Sequence, residues 1–383
     1  MLNHYFFSLL VIFIWIILIS YSVFTLVLTF LWSRLKTNYP VTKNQGDFFT
    51  VIIPVRNEKD SITSLLSDIN DQTFSADQFE VLVMNDGSTD ETANLVQKCI
   101  DTFKINIRLI HLPDSPTASP KKRAIESAIA EANGTIIVTT DGDCRVETGW
   151  LQSIADCYAE TNAKLISGPV TFTTENSLTD YLQTVEFASL IGSGASAISA
   201  GFPSLCNGAN LAYPKSVFYE VNGFDGVKHI ASGDDEFLMH KIAAKYPDGI
   251  QFLKNSQAIV RTKPHQEWSL FFRQRKRWAS KWKHYQSKTP LVLALYIFSC
   301  NFSLIISCLL CISGNITFAE LAIFWLIKCA PEWLFLGLVL KFLQKSSSIF
   351  YIPVTQIIYP FYVCFFGLAV QKPSYEWKGR KLI

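Results

Sequence analysis

The sequence predicts an α/β fold with a mostly parallel sheet, flanked by transmembrane helices. Between residues 49 and 262, short β-rich runs alternate with helical patterns, which is the order expected of a βαβ series. Long apolar stretches precede and follow that region, and they are long enough to cross a bilayer. We therefore expect a soluble body that is anchored to a membrane on both sides.

The composition excludes several classes of protein. Of 383 residues, 49% are hydrophobic and only 17% are charged, so the chain is too apolar to be disordered. The 34 Lys and Arg residues nearly balance the 32 Asp and Glu residues, so the overall charge gives no reason to expect a nucleic-acid partner. The 9 Cys residues lack metal-type spacing. We expect neither a disulfide framework nor a zinc site.

The first apolar segment predicts an uncleaved membrane anchor at residues 1–33. No charged residue precedes Arg34, and the segment lacks the basic start and cleavage site of a signal peptide. Arg34, Lys36 and Lys43 follow directly, which by the positive-inside bias predicts that the next segment is cytoplasmic. The expected location is the cell (inner) membrane, with the soluble domain facing the cytoplasm.

The soluble domain is predicted at residues 34–288. Strands are expected at 50–55, 79–84, 106–111 and 135–139, and helices at 61–71, 90–103 and 121–132. In such sheets, ligands bind beyond the carboxyl ends of the strands. The residues that directly follow each strand are therefore the candidates for a functional site.

Residues 289–371 form a predicted membrane region with two or three transmembrane or interfacial helices, and residues 372–383 form a basic tail. The apolar stretches are 290–312, 318–342 and 349–370. The middle stretch contains Lys328, Pro331 and Glu332, and charge inside a bilayer is costly unless it is paired. We expect this stretch to be bent, re-entrant or interfacial. The alternative is that Lys328 and Glu332, which share a helix face, pair with each other.

Polar turns follow the first two predicted strands. The first turn contains Pro54, Arg56 and Glu58. In the second turn, Gly87 permits a tight turn, and Ser88 with Glu91 would form a capping box for the next helix. That structural explanation does not require Asp86, whose carboxylate is well placed to accept hydrogen bonds from a base or a ribose.

The triplet Asp141-Gly142-Asp143 follows the fourth predicted strand. It can be a simple turn, but two carboxylates this close repel each other unless a cation offsets them. Mg²⁺ or Mn²⁺ fits this need, because such ions take one or two carboxylates and complete their shell with waters and phosphates.

Upstream of the triplet, Lys121, Lys122 and Arg123 open a predicted helix. Phosphate groups are favoured there by the positive end of the helix dipole. The alternative is an ordinary solvated basic helix start.

Two further motifs lie in the second half of the soluble domain. Asp234, Asp235 and Glu236 open a predicted helix, and three consecutive acids exceed what helix capping needs, so one of them is a candidate general base. Finally, Gln274, Arg277 and Trp278 lie in a basic stretch before the membrane region, where Trp and Arg are also ordinary interfacial anchors.

In this order, the motifs resemble those of a membrane-anchored family-2 glycosyltransferase, which is an inverting enzyme with a GT-A nucleotide-diphospho-sugar transferase fold. Five segments carry the resemblance: the opening strand and turn at 51–58, the nucleotide turn at 85–91, the DxD motif at 141–143, the acidic motif at 233–235 and the QxxRW motif at 274–278. Arg56 departs from the family, since many members have Tyr there, and so does Asp234, which stands where the family often has Glu.

The resemblance implies a role for each matching residue. The donor nucleotide would be bound by Pro54, Arg56, Glu58, Asp86, Lys121 and Asp141. Asp143 and Asp141 would hold Mg²⁺ or Mn²⁺. Asp235 would be the catalytic base, with Asp234 as the alternative. Gln274, Arg277 and Trp278 would complete the catalytic set, with Arg277 near the leaving group and Trp278 on the acceptor side.

The expected function is that of a metal-dependent, inverting hexosyltransferase. It would transfer a sugar from a nucleotide-sugar, with a UDP-sugar as the first choice, to a hydroxyl of a lipid, lipid-linked or polysaccharide acceptor at the membrane. A processive polysaccharide synthase and an inactive nucleotide-sugar-binding membrane protein are the alternatives. A nucleotidyltransferase or hydrolase on a similar fold is disfavoured by the acidic cluster and the QxxRW motif.

Overall fold

The chain divides into two compact units, which we describe separately. In the computed structural model, the described residues are 2–40, 46–113, 117–173, 176–280, 289–369, 375–377 and 380–382. The helical unit comprises Met1–Ser33, Asn176–Gly192 and Gln266–Pro373, and the sheet unit comprises Arg34–Glu175, Ser193–His265 and Ser374–Ile383. The predicted segment 34–288 thus contributes to both units. Lys43, Lys281, Lys283, Lys288, Lys372 and Lys378 lie outside the described residues.

The sheet unit is built on a seven-stranded sheet with the order β3-β2-β1-β4-β7-β5-β8. Its strands are β1 (Phe49–Val55), β2 (Phe79–Asn85), β3 (Asn106–His111), β4 (Ile136–Thr139), β5 (Leu165–Ser167), β7 (Leu211–Pro214) and β8 (Ile250–Phe252). Strand β7 runs antiparallel to β4 and β5, and the other pairings are parallel. The mostly parallel sheet predicted from the sequence is therefore confirmed.

Two small sheets complete the strands of this unit. Strands β6 (Val170–Phe172) and β9 (Val260–Thr262) pair in parallel. In the basic tail, β10 (Tyr375–Trp377) and β11 (Arg380–Leu382) pair antiparallel.

Helices connect the strands as the alternation predicts. They are α2 (Ile62–Asn70), α3 (Thr92–Thr102), α4 (Pro120–Glu131), α5 (Trp150–Thr161), α7 (Lys215–Glu220) and α8 (Asp234–Lys245). The four predicted strands and three predicted helices match to within two residues at every end. Helix α2 illustrates the cause, because Ile62, Leu65, Leu66 and Ile69 form one buried stripe at helical spacing.

A buried carboxylate joins the amino-terminal ends of the central strands. Glu80 on β2 is fully buried, and it accepts hydrogen bonds from Thr50 Oγ1 at 2.9 Å and from Arg108 Nη2 at 3.2 Å. Asn133, which precedes β4, donates its backbone N–H at 2.7 Å and its Nδ2 at 2.9 Å. Both carboxylate oxygens are thus bonded, which offsets the desolvation of the charge.

Within the part of the chain that the structure describes, the helical unit contains four helices that are long and apolar enough to cross a membrane. They are α1 (Leu2–Arg34), α10 (Thr289–Ile312), α11 (Phe318–Phe342) and α12 (Ile352–Ala369), the last preceded by a 3₁₀ turn. Ile14 and Leu18 of α1 pack with Leu304 of α10 and Phe324 of α11 in a buried cluster. Two further helices contribute to this unit, namely the first part of α6 (Leu178–Ser199) and α9 (Trp268–Ser280).

Helix α11 is continuous from Phe318 to Phe342, and its interior charges are paired. Lys328 Nζ lies 2.8 and 2.9 Å from the two carboxylate oxygens of Glu332. Tyr21 of α1 donates to Glu332 at 2.5 Å, and Gln356 of α12 donates to it at 3.2 Å. The alternative expectation, that Lys328 and Glu332 pair with each other on one helix face, is confirmed, because spacing by four residues brings the two charges together within one helix. How this helix lies relative to a membrane stays a prediction.

Replacing Glu80 with alanine should destabilise the sheet unit by about 2–4 kcal/mol, since donors on three neighbouring segments lose their shared acceptor and the hydroxyl of Thr50 among them is buried. Thermal unfolding of the detergent-purified protein measures this as a lower midpoint. Glu131→Ala is the matched control, because Glu131 is a largely exposed partner of the same Arg108. Equal midpoints for the two variants would contradict the assignment of Glu80 as the strand-joining group.

Candidate active site

Hydrogen bonds between side chains and backbone N–H groups connect the turns after β1 and β2. Asn57, which has a positive φ of 54°, accepts the Thr89 N–H at 2.8 Å and donates its own N–H to Ser88 Oγ at 3.1 Å. Lys59 donates its N–H to Asp90 Oδ2 at 3.2 Å. These side-chain to backbone bonds hold the two polar turns in one geometry.

The predicted capping box at Ser88 and Glu91 is wrong. Helix α3 begins at Thr92, and no side chain caps it from the Glu91 position. Asp90 Oδ1 accepts the Thr92 N–H instead, at 3.0 Å. The Ser88 hydroxyl instead accepts a hydrogen bond from the Asn57 N–H in the turn after β1.

Asp86 lies at the end of β2 with its carboxylate almost fully buried, and it pairs with the guanidinium of Arg123 on α4. Arg56 Nη1 donates to the carbonyls of Asp86 at 2.5 Å and Gly87 at 2.8 Å. Pro54 lies within β1 beside Met84 of β2. The structure thus brings two arginines to the predicted nucleotide turn. The sequence indicated Arg123 only as part of the basic start of α4 and did not predict its pairing with Asp86.

Glu58 ends the first turn and lies just before Ser61, the N-cap residue of helix α2. Its carbonyl accepts the N–H groups of Ser61 at 3.1 Å and Ile62 at 3.0 Å. A Cβ atom at Gly142 would lie 3.1 Å from Glu58 Cγ and 2.9 Å from Val55 Cγ1. The glycine of the DxD triplet is therefore required by close packing against this turn.

The basic start of α4 is not a solvated surface, so that alternative is wrong. Lys122 is buried, and its ammonium donates to the carbonyls of Val227 at 2.9 Å, Ile230 at 2.7 Å and Ser232 at 3.0 Å. These carbonyls belong to the loop that leads into α8. Lys122 therefore ties this loop to α4, and its positive charge acts together with that of Lys121 against the effect of burial on the pKa of the Asp234 carboxyl.

Lys121 bridges two acidic motifs. Its Nζ lies 2.7 Å from Asp141 Oδ1 and 3.2 Å from Asp234 Oδ2. Burial would lower the pKa of the Lys121 ammonium, but the carboxylates of Asp141 and then Asp234 outweigh burial and raise that pKa. Burial would likewise raise the pKa of the Asp234 carboxyl, yet the ammonium of Lys121 holds this pKa below its ordinary value. Both groups are charged at neutral pH.

Asp235 is held by backbone groups rather than by a cation. Its Oδ2 accepts the Gly208 N–H at 3.0 Å, and its Oδ1 accepts the Glu236 N–H at 2.8 Å. Helix α8 begins at Asp234 after Gly233, whose φ of 79° permits the sharp entry, so the predicted helix start is confirmed. A Cβ atom at Gly208 would lie 2.9 Å from Asp234 Oδ2 and 3.1 Å from Lys121 Nζ. The segment around Gly208 therefore closes one side of the acidic cluster.

Asp141 and Asp143 offer oxygen ligands at the carboxyl end of β4. Asp143 Oδ2 accepts a hydrogen bond from Thr262 Oγ1 at 3.3 Å, so this hydroxyl of β9 is a further oxygen that the sequence did not indicate. Among the described residues, no group of three or more His, Cys, Asp or Glu side chains is arranged to enclose a metal ion. Two carboxylates suit an ion that keeps waters and substrate phosphates, as Mg²⁺ and Mn²⁺ do. The Lys121 ammonium at Asp141 indicates that this position accepts a cation.

Gln274, Arg277 and Trp278 lie on α9 and belong to the helical unit. The side chain next to them, Arg275, is buried and stacks on Trp278, with its guanidinium carbon 4.3 Å from the ring centroid. The other predicted site residues belong to the sheet unit. In the sequence, Arg275 is one of several basic residues in this stretch, and nothing in the pattern distinguishes it from the others.

The mostly parallel sheet, with acidic side chains at its carboxyl edge, is shared with glycosyltransferases of the GT-A-like class. The chain belongs to glycosyl transferase family 21, whose family model matches residues 12–383. This is a different family from family 2, with which the motifs were compared above. The structure is similar to that of the mannosyltransferase PcManGT from Pyrobaculum calidifontis, solved with GDP-Man and Mn²⁺, with a TM-score of 0.57 and 16% identity over 92% of this chain and 99% of that one.

Sequence relatives are also glycosyltransferases. Glycosyltransferase AglE of Haloferax volcanii is 32% identical over 129 residues, which cover 34% of this chain and 41% of AglE. Poly-beta-1,6-N-acetyl-D-glucosamine synthase of Staphylococcus aureus is 27% identical over 218 residues, which cover 55% of this chain and 49% of that enzyme. The chain thus spans less than half the length of these relatives.

Replacing Lys121 with methionine should raise the affinity for Mn²⁺ in the absence of nucleotide by about tenfold, or about 1.4 kcal/mol. The reason is that Asp141 loses a competing ammonium 2.7 Å away. Electron paramagnetic resonance of free Mn²⁺ measures this binding without any turnover. Lys98→Met, an exposed lysine on α3, is the control and should leave the affinity unchanged. Unchanged or weaker binding in Lys121→Met would show that the ammonium does not compete with the metal.

Proposed function

We propose that this protein transfers a hexose from a nucleotide-sugar, a UDP-sugar in the first instance, to a hydroxyl of a lipid, lipid-linked or polysaccharide acceptor at a membrane, with inversion at the anomeric carbon. The observation that carries the proposal is the meeting of Asp141, Asp234 and Asp235 around Lys121 and Gly208. This cluster joins a candidate cation site to a candidate base. Membership of family 21 and the GT-A-like neighbour support the same reaction class.

The nucleoside would be bound at the turn after β2. Asp86 and Arg123 form an adjacent acceptor and donor. Uracil offers a matching N3–H and carbonyl oxygen, and guanine offers a matching N1–H and O6. Arg56 keeps the turn in place through its bonds to the Asp86 and Gly87 carbonyls. From the motif resemblance, Pro54 and Glu58 would also contact the nucleotide. The mannosyltransferase neighbour was solved with a guanosine nucleotide, so both bases belong in the test.

The diphosphate would lie between Lys121 and the DxD carboxylates. A divalent ion held by Asp143 and Asp141 would supply charge neutralisation for the departing nucleoside diphosphate. Lys121 already carries a positive charge at this position, and it can follow the phosphate groups as a flexible donor. Fixed charges of this kind act where negative charge develops in the transition state.

Asp235 is the proposed base. It would take the proton of the acceptor hydroxyl while that oxygen attacks the anomeric carbon and the nucleoside diphosphate leaves from the opposite side. The backbone N–H groups of Gly208 and Glu236 orient the Asp235 carboxylate and leave a lone pair on each oxygen for the acceptor. Asp234 remains the alternative, although its ion pair with Lys121 makes its carboxylate a weaker base.

The acceptor would be delivered from the membrane. Four helices can span it, and Arg34 with Lys36 after α1 favour a cytoplasmic sheet unit at the inner membrane. From the motif resemblance alone, Arg277 would stabilise the leaving group, and Gln274 and Trp278 would contact the acceptor.

Asp235→Asn should reduce nucleoside diphosphate release by about 10²–10⁴-fold, because the amide cannot accept the proton. The unfolding midpoint should fall slightly, because the amide nitrogen can accept neither the Gly208 N–H nor the Glu236 N–H, so one of these two hydrogen bonds is lost. Asp234→Asn should lower release less. Asp248→Asn, an exposed residue of the sheet unit, is the control and should match the wild type. Full activity in Asp235→Asn together with loss in Asp234→Asn would transfer the role of base to Asp234.

Detergent-purified protein with membrane lipid extract should release nucleoside diphosphate from one member of a panel of UDP-, GDP- and dTDP-sugars. Release should require Mn²⁺ or Mg²⁺ and should stop with chelator, because the two carboxylates need the ion to hold the diphosphate. Mass spectrometry of the lipid fraction distinguishes one added sugar from a polymer. Tight donor binding with no release from any donor would overturn the transferase proposal in favour of an inactive binding protein.

A further inference from the structure

Arg275 lies inside the QxxRW motif of α9, yet it is not one of the motif's defining letters. Its side chain is 5% exposed, so the guanidinium is buried within the helical unit. A buried arginine is rare unless its charge is paired. The partners of this guanidinium therefore indicate what it does.

The guanidinium contacts two of the motif's defining residues. Arg275 Nη1 donates to Gln274 Oε1 at 2.6 Å, and the guanidinium carbon lies 4.3 Å from the centroid of the Trp278 ring. Phe271, one turn earlier in the helix, contacts the same guanidinium, and its ring centroid is 4.6 Å from the guanidinium carbon. Phe271 and Trp278 are spaced four residues before and three residues after Arg275, so all three lie on one helix face.

Glu186 of α6 anchors this guanidinium. Arg275 Nε donates to Glu186 Oε1 at 2.9 Å, and Arg275 Nη2 pairs with Glu186 Oε2. Tyr362 of α12 donates its hydroxyl to Glu186 Oε1 at 3.1 Å. Three helices thus converge on one carboxylate, and the planar fork of the arginine fixes the orientation of both partners.

A buried ion pair of this kind gives little net stability, because the desolvation of two charges offsets their attraction. Well-packed apolar residues of similar volume would hold α6 and α9 together equally well. Apolar residues would not, however, fix the orientation of the neighbouring Gln274 and Trp278 side chains. Since the Gln274 carboxamide oxygen is engaged by Arg275, its two N–H donors are the groups left to face a ligand. The ring plane of Trp278 is likewise set by the guanidinium stacked against it.

We propose that Arg275, anchored by Glu186, is a positioning residue that sets the orientation of the Gln274 carboxamide and the Trp278 ring in the proposed sugar transfer. Arg275 touches neither donor nor acceptor in this role. It acts through Gln274 and Trp278. The predicted effect of Arg275 on turnover rests on the proposed function, whereas its predicted effect on the orientation of these two side chains does not.

The structural consequence is tested by ¹⁹F nuclear magnetic resonance on full-length protein in detergent, labelled with 5-fluorotryptophan. The chain has 9 Trp residues, and the Trp278 signal is assigned by its loss in Trp278→Phe. Arg275→Lys and Glu186→Gln should both move or broaden the Trp278 signal. Tyr362→Phe, which removes one hydrogen bond from Glu186, should move it less. Arg273→Lys makes the same substitution at an exposed position of α9 and should leave it in place.

The kinetic consequence is tested with the nucleoside diphosphate release assay. Arg275→Lys and Glu186→Gln should lower kcat by about 10- to 100-fold, as expected for misplaced contact groups, with the KM for donor changed less than about twofold. In a background that already carries Gln274→Ala and Trp278→Phe, Arg275→Lys should cause no further loss, because its effect passes through those two side chains. A purely structural role would give an additive loss in that background.

The outcomes separate this inference from the proposed function. Sugar transfer by the wild type, with an unmoved Trp278 signal or an unchanged kcat in Arg275→Lys and Glu186→Gln, overturns the positioning role while the function stands. A moved Trp278 signal in both variants, with no release from any donor by the wild type, supports the positioning role and overturns the function.

Discussion

The contact of the Lys121 ammonium with Asp141 and Asp234 is the interaction on which the candidate site depends. These carboxylates follow a strand and open a helix that lie far apart in the sequence, and with Asp235 they place several negative charges in a small volume. Without an interposed cation, their mutual repulsion would favour separation or protonation. The lysine removes that penalty and brings the DxD turn to the start of α8. The requirement for glycine at position 208 follows from this contact, because a side chain there would enter the space of the ion pair.

The sequence predicts the first half of the sheet unit well and the second half poorly, for a physical reason. Strands β1 to β4 and their helices have periodic apolar patterns, and such patterns are local. Strands β5 to β9 have three or four residues each, which is too short for a period to be recognised. Strand β4 is equally short, but it lies in the apolar run 135–139 directly before the DxD turn, which makes it recognisable. The antiparallel position of β7 between β4 and β5 depends on contacts between distant segments, so no local pattern signals it.

The same distinction applies to the site. Asp86, Asp141, Asp143, Asp234 and Asp235 are recognisable because each stands in a short polar run after a strand or before a helix. Their partners are not recognisable in this way. Thr262 contacts Asp143 across 119 residues, and Arg275 contacts Glu186 across 89. In the helical unit, the spacing of Lys328 and Glu332 by four residues is a local pattern, and it predicts the ion pair that the structure shows.

Three consecutive side chains in the first turn of helix α4 contact three different parts of the sheet unit. Lys121 faces the acidic motifs, Lys122 holds the loop before α8, and Arg123 meets Asp86. One residue advances an α-helix by about 100° of rotation. Inserting or deleting a single amino acid in the first turn of α4 would therefore turn all three side chains out of phase at once. Point substitutions in this turn can affect one of these contacts at a time, whereas a change in its length affects all of them.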